Sequence, residues 1–187
     1  MRCHPVVAFI AVLLASACST VASSETDLAN PPPAIAKNVA ALHPGALTFV
    51  NETEQEILRR GRPLTPDETR IALAVGVAHP DQVRILVHDD FIEPRDRAFL
   101  ALARRIGIDI EAEQSGRASG HGIELRRRFV RSPGLLAHEL THVAQYERLG
   151  TSALVRDYLT QLLMVGYQRA PLEVQARANE RIAGRPD

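Results

Sequence analysis

Residues 132 to 150 read SPGLLAHELTHVAQYERLG, a helical run closed at both ends. Ser132 suits the N-cap, Pro133 the first helical position and Gly150 the stop. Leu135, Leu136, Leu140, Val143 and Ala144 give the helix an apolar surface to bury. Inside it stands His138-Glu139-Leu140-Thr141-His142, an HExxH pattern. Residues four apart share one helix face, so both imidazoles can reach a single ion. Glu139 flanks the same pocket, where a carboxylate can take a proton from a water at that ion. Neutral imidazole nitrogens hold Zn²⁺ at about 2.0–2.1 Å, and Zn²⁺ brings the pKa of its water to about 7. Zn²⁺ is therefore the expected cofactor. The competing reading is a pair of solvated histidines on an ordinary helix.

A catalytic zinc site needs a third protein ligand. The pattern HExxHxxGxxH would place Gly at 145 and His at 148. The chain has Gln145 and Arg148, which excludes it. The other solution is a Glu on a following helix. Glu173, in APLEVQAR, is the expected third ligand. Glu180, farther along the same helical face, is the runner-up, and Asp157 serves if the intervening helix faces the ion. Without a metal, Glu173 would be an N-terminal acid favoured by the helix dipole by about 0.3–1 kcal/mol. Tyr167 is a candidate donor to an oxyanion. Tyr146 and Tyr158 compete for that role, with core packing as their alternative. His121 either lines the cleft or sits on a surface loop. Arg126-Arg127-Arg128, with Arg131, reads first as a solvated edge and otherwise as a contact for acidic head groups or an acidic substrate.

The rest of the pattern predicts an α+β fold, with helices around a small strand layer. Asn51 to Arg60 reads as a short helix, with Asn51 as N-cap and Glu54 three residues on. Thr65-Pro66-Asp67-Glu68 is a capping box opening a helix to about Val75. Gln82 to His88 and Ile108 to Glu113 read as strands, and Pro94 to Ile106 as an amphipathic helix. Gly120 to Val130 reads as a further strand near a sheet edge, a candidate surface for an extended peptide. Thr151 would cap a helix running to about Gly166, and the last helix would run from Pro171 to Ala183.

The N-terminus reads as an address. Arg2 precedes the apolar run Val6 to Leu14, followed by Ala15, Ser16 and Ala17. About nine apolar residues are too few to span a bilayer, which takes about 20. Residues 1–17 are thus expected to be a signal peptide of lipoprotein type, with Cys18 as the acylated residue. The expected location is the outer membrane facing the periplasm; a plain secreted or periplasmic protein is the alternative. Residues 18–45, rich in small and polar residues and prolines, are expected to form a flexible tether, with the folded domain over 46–187. Cys3 and Cys18 are the only cysteines, so no disulfide framework braces the body. Lys+Arg and Asp+Glu both number 22. That balance argues against a nucleic-acid partner, and the 4% aromatic content argues against a base-stacking platform.

LLAHELTHVAQYERLG, with GYQRAPLEVQARANE after it, resembles a family of small bacterial zincin-like domains. These are metallopeptidases of the gluzincin kind with an HELTHVxQ core. GRPLTPDETRIALAVGVAHPDQVRILVHDDF resembles their upstream segment, and the likeness spans roughly residues 60 to 183. It implies a compact zincin-like domain in which two helices follow the active one. His138, His142 and Glu173 would be zinc ligands and Glu139 the general base. The implied activity is hydrolysis of peptide bonds in a peptide or protein substrate of the bacterial envelope, with a lipid anchor on Cys18 as membrane contact. The alternative is a non-catalytic envelope lipoprotein of the same fold, acting as a binding module. One position departs from the pattern: where the family often has an acid that orients a ligand His, this chain has Arg177.

Overall fold

A computed structural model describes residues 28–108 and 114–182. Among these residues are six α-helices and a four-stranded sheet. In chain order they are α1 (Pro33–Arg60), β1 (Arg62–Pro63), α2 (Pro66–Val75), β2 (Arg84–Val87), α3 (Arg97–Ile106), β3 (Gly116–Ser119), β4 (Gly122–Leu125), α4 (Pro133–Leu149), α5 (Thr151–Val165) and α6 (Pro171–Asn179). The fold is mixed α+β and mostly helical. No described helix is long and apolar enough to cross a membrane. Residues 1–17, both cysteines, the first part of the expected tether and, Ile108 apart, the strand read over Ile108 to Glu113 lie outside the described residues.

The local signals that close helices act as their chemistry requires. Thr65 Oγ1 accepts from Glu68 N while the Glu68 carboxylate accepts from Thr65 N, a complete capping box. Asp96 caps α3 through the amides of Ala98 and Phe99. Ser132 Oγ accepts from Leu135 N at the start of α4. Thr151 does not cap α5; it is the first helical residue, and Gly150 is the N-cap with φ 78°. A positive φ, open mainly to glycine, turns the chain from α4 into α5 at one residue.

Several boundaries differ from the sequence reading: α3 starts at Arg97, after its cap Asp96, and not at Pro94, and α6 ends at Asn179, short of Ala183. The tether expected to reach residue 45 is helical from Pro33, and the short helix expected at Asn51 is the far end of that same helix. Pro44 and Gly45 look like breakers, and Asn51 with Glu54 looks like a start. Packing overrides both signals, because Val39, Leu42 and Ala46 are buried against Phe99 and Ala103 of α3 and Val155 and Leu159 of α5. Glu54 accepts instead from His121 N.

The strand read over Gly120 to Val130 is a hairpin followed by a turn. β3 and β4 pair antiparallel from Gly116↔Leu125 to Ser119↔Gly122, joined by Gly120-His121. The sheet order is β1-β2-β4-β3, with β2 and β4 parallel. β4 is therefore an inner strand paired on both sides, and the described edge nearest it is β3. A strand partner cannot add at Gly120–Glu124.

One face of the sheet buries Val83, Ile85, Ile123 and Leu125 against Leu136, Leu140 and Val143 of α4. Glu124 is fully buried in the middle of β4. It accepts from Arg117 Nε at 2.9 Å and Nη2, and from Ile92 N at 2.9 Å, and pairs with His88 Nε2 at 2.8 Å. A buried carboxylate held this way is tolerable only while its partners stay in place.

Leu42, fully buried, tests the revised boundary. Leu42→Ala should destabilise the protein by about 2–5 kcal/mol in denaturant unfolding. A flexible tether at this position would leave the midpoint unchanged.

Candidate metal centre

α4 carries two stripes of the same helical spacing. Leu136, Leu140 and Val143 face the sheet, and His138, His142 and Gln145 repeat that pattern two residues later. Two residues rotate a helix by about 200°, so the second stripe faces away from the sheet. It faces α6, the helix bearing Glu173, which packs against α4.

On that side three donor atoms converge. His138 Nε2 and His142 Nε2 are 3.2 Å apart. Glu173 Oε2 lies 3.3 Å from His138 Nε2, and Glu173 Oε1 lies 3.5 Å from His142 Nε2. Donors about 2.0–2.1 Å from one tetrahedral ion stand about 3.3–3.4 Å apart, so the spacing fits a small cation. His138, His142 and Glu173 are the one group with metal-ligand geometry among the described residues. Glu173 Oε2 is buried and has no hydrogen-bond partner among them. An orphaned carboxylate oxygen beside two imidazole nitrogens is a site for a positive charge.

The outer nitrogens explain why those lone pairs point inward. His138 Nδ1 pairs with Glu180 Oε1 at 2.9 Å, and His142 Nδ1 pairs with Gln145 Oε1 at 2.8 Å. An acceptor at each Nδ1 favours a ring proton there and leaves Nε2 as the atom that could face an ion. Tyr158 donates to Glu173 Oε1 at 2.9 Å. Glu180 thus stands outside the three-donor group and meets the outer nitrogen of His138. Arg177 lies instead with Nη1 3.7 Å from Glu173 Oε2. Asp157 is exposed on α5, away from the cluster's donor set.

Charge follows from this crowding. Burial opposes a proton on His138, but Glu173, Glu139 and Glu180 prevail and raise its pKa to about 8. Burial holds His142 below the usual imidazole range, even with Glu173 nearby. Burial opposes ionisation of Glu173, yet His138, His142 and Tyr158 keep it below the usual carboxylate range.

Glu139 points between α4 and β3. It is 4% exposed, and burial raises its pKa to about 7, with His138 pulling the other way. The Ala118 N–H donates to its carboxylate. A Cβ at Gly116 would stand 2.5 Å from Glu139 Oε1, so the carboxylate lies flat on β3 only because residue 116 has no side chain. A carboxyl near neutrality beside the His138 imidazole is a candidate general base.

Tyr167 lies on the turn before α6 and is 48% exposed; burial and the Glu173 charge raise its pKa. Of its competitors, Tyr146 is core, packed with Leu154 and Leu172, and Tyr158 serves Glu173. His121 is neither on an open loop nor in the cluster. Its Nε2 lies 3.2 Å from Glu147 Oε1 and its backbone N–H donates to Glu54, so it ties the hairpin turn to α1 and α4. In the arginine run, Arg126 donates to the Gln114 and Asp89 carbonyls and Arg127 pairs with Asp89. A cleft of about 370 Å³ opens between α4, the end of α2 and Gln175, and none of the three ligands borders it.

The sequence reading passed over Gln145 and Gln161. Gln145 is fully buried, with Nε2 donating to Leu172 O at 3.0 Å and Gln175 Oε1 at 2.9 Å. Gln161 Oε1 accepts from Leu172 N at 3.0 Å. α6 has no side-chain cap at Ala170, so Gln161 satisfies an amide that the helix start leaves open. The repeat 138, 142, 145, offset by two from the apolar stripe 136, 140, 143, is the signal that could have found Gln145.

Comparison of the chain with known protein families, with curated proteins and with solved structures gives no match.

His138 must lose its proton to offer Nε2. That proton is held up to pH about 8, so it competes with a metal below that value and not above it. Apparent zinc affinity, measured by chelator competition, should fall about tenfold for each pH unit below 8. A flat affinity between pH 6 and 8 would contradict the arrangement.

Proposed function

We propose that this chain is a zinc-dependent peptidase of the zincin type, exported and anchored in the bacterial envelope through an acylated Cys18. The observation that carries the reading is the donor spacing of 3.2, 3.3 and 3.5 Å among His138, His142 and Glu173. Those three side chains would hold the ion. When bound, zinc supplies an acidified water and polarises a substrate carbonyl.

The remaining work falls to the chain's own groups. The Glu139 carboxylate takes the proton from the attacking water and passes it to the departing amine nitrogen. The Ala118 N–H and the bare backbone of Gly116 hold that carboxylate in one orientation. The Tyr167 hydroxyl, exposed beside Glu173, is the candidate donor to the oxyanion. Among the described residues the outer edge of β3 has no strand partner, which suits an extended peptide laid along it.

Metal analysis of the wild type and of Glu139→Gln, each followed by exposure to an unbiased peptide library, tests the reading. One zinc per chain is expected in both. Cleavage is expected in the wild type alone, with a loss of about 10²–10⁴-fold in the variant. Zinc in both with no cleavage by either would make the chain a metal-bearing binding module. No zinc in the wild type would return His138 and His142 to ordinary helix positions.

A further inference from the structure

We propose that Gln145 is a positioning residue for two of the three ligands at once. It would set the ring proton of His142 and anchor the helix start that carries Glu173. This rests on the metal reading of the same site.

The amide's orientation is decided by its neighbours. Leu172 O can only accept, so the atom 3.0 Å from it must be the Gln145 nitrogen. The same nitrogen donates to Gln175 Oε1 at 2.9 Å, which uses both of its hydrogens. The oxygen is then left for His142 Nδ1 at 2.8 Å and can only accept there. His142 must therefore carry its proton on Nδ1, and its Nε2 is free to bind a metal. The amide nitrogen has no spare hydrogen and the side chain is fully buried, so the alternative tautomer would leave an acceptor facing an acceptor. The carbonyl that Gln145 grips belongs to the residue just before Glu173. One side chain on the first-ligand helix thus sets the register of the third ligand. Gln161 grips the amide of the same Leu172 but does not touch His142, so it shares only the second role.

The tautomer is read directly by ¹⁵N-imidazole NMR on the metal-free protein, and zinc affinity by chelator competition. In the wild type, His142 should show the Nδ1–H form. Gln145→Met should lose that form and lower zinc affinity about 10–100-fold. Gln145→Glu keeps an acceptor for His142 and should retain the Nδ1–H form while losing the grip on Leu172. Gln161→Met should weaken zinc binding with the His142 tautomer unchanged, which separates positioning from general loosening of α6. An Nε2–H form in the wild type would overturn the proposal, as would a Gln145→Met protein with wild-type tautomer and affinity. If Gln145→Met fails to fold, the wild-type and Gln145→Glu spectra decide. A wild type that takes no zinc but shows Nδ1–H at His142 would refute the metal reading and leave the tautomer assignment standing.

Discussion

Two imidazole nitrogens and a carboxylate stand within 3.5 Å of one another, an arrangement that calls for a proton or a cation among them. Packing and hydrogen bonds on both helices hold that grouping together. α4 is clamped from the far side by its apolar stripe on the sheet, so its histidines cannot swing away. α6 is clamped by glutamines from two helices at a single residue, Leu172. The carboxylates of Glu173, Glu139 and Glu180 hold a proton on His138 against its burial and push its pKa up to about 8.

The sheet contributes a second constraint. β3 brings a glycine and a backbone amide against Glu139, and β3 is itself held in place by the Arg117–Glu124 pair that crosses to β4. Arg117 also lies over the rings of Phe49 and Phe91, so the pair is sealed from water by α1 and the loop after β2. A buried ion pair is a poor source of stability by itself, but it gives the hairpin one allowed register. Register matters here, because a slip of one residue would turn a side chain toward the Glu139 carboxylate.

Much of the site was legible from α4 alone, because its signals are local. Ser132, Pro133 and Gly150 bound the helix, and the four-residue spacing puts both histidines on one face. Glu173 was legible from its place at the start of the last helix. What was not legible depends on contacts distant in sequence. Pro44 and Gly45 carry the local chemistry of a break, yet Leu42 and Ala46 on either side of them are core residues of the same helix. The GRAS segment of β3 has no alternating pattern, and only pairing with β4 makes it a strand. Gln145 looked like a mismatch to one motif; its meaning lies with Leu172 and Gln175 on a different helix. Glu180 looked like a spare ligand, because sequence cannot say which imidazole nitrogen an acid will meet.

The central claim is that His138, His142 and Glu173 form one metal-binding unit. X-ray absorption at the zinc edge of the loaded protein addresses it most directly. The account predicts nitrogen and oxygen neighbours at about 2.0–2.1 Å, with the outer-shell scattering of two imidazoles. Imidazole scattering that survives unchanged in a His138→Ala, His142→Ala double variant, or a first shell without imidazole, would contradict it.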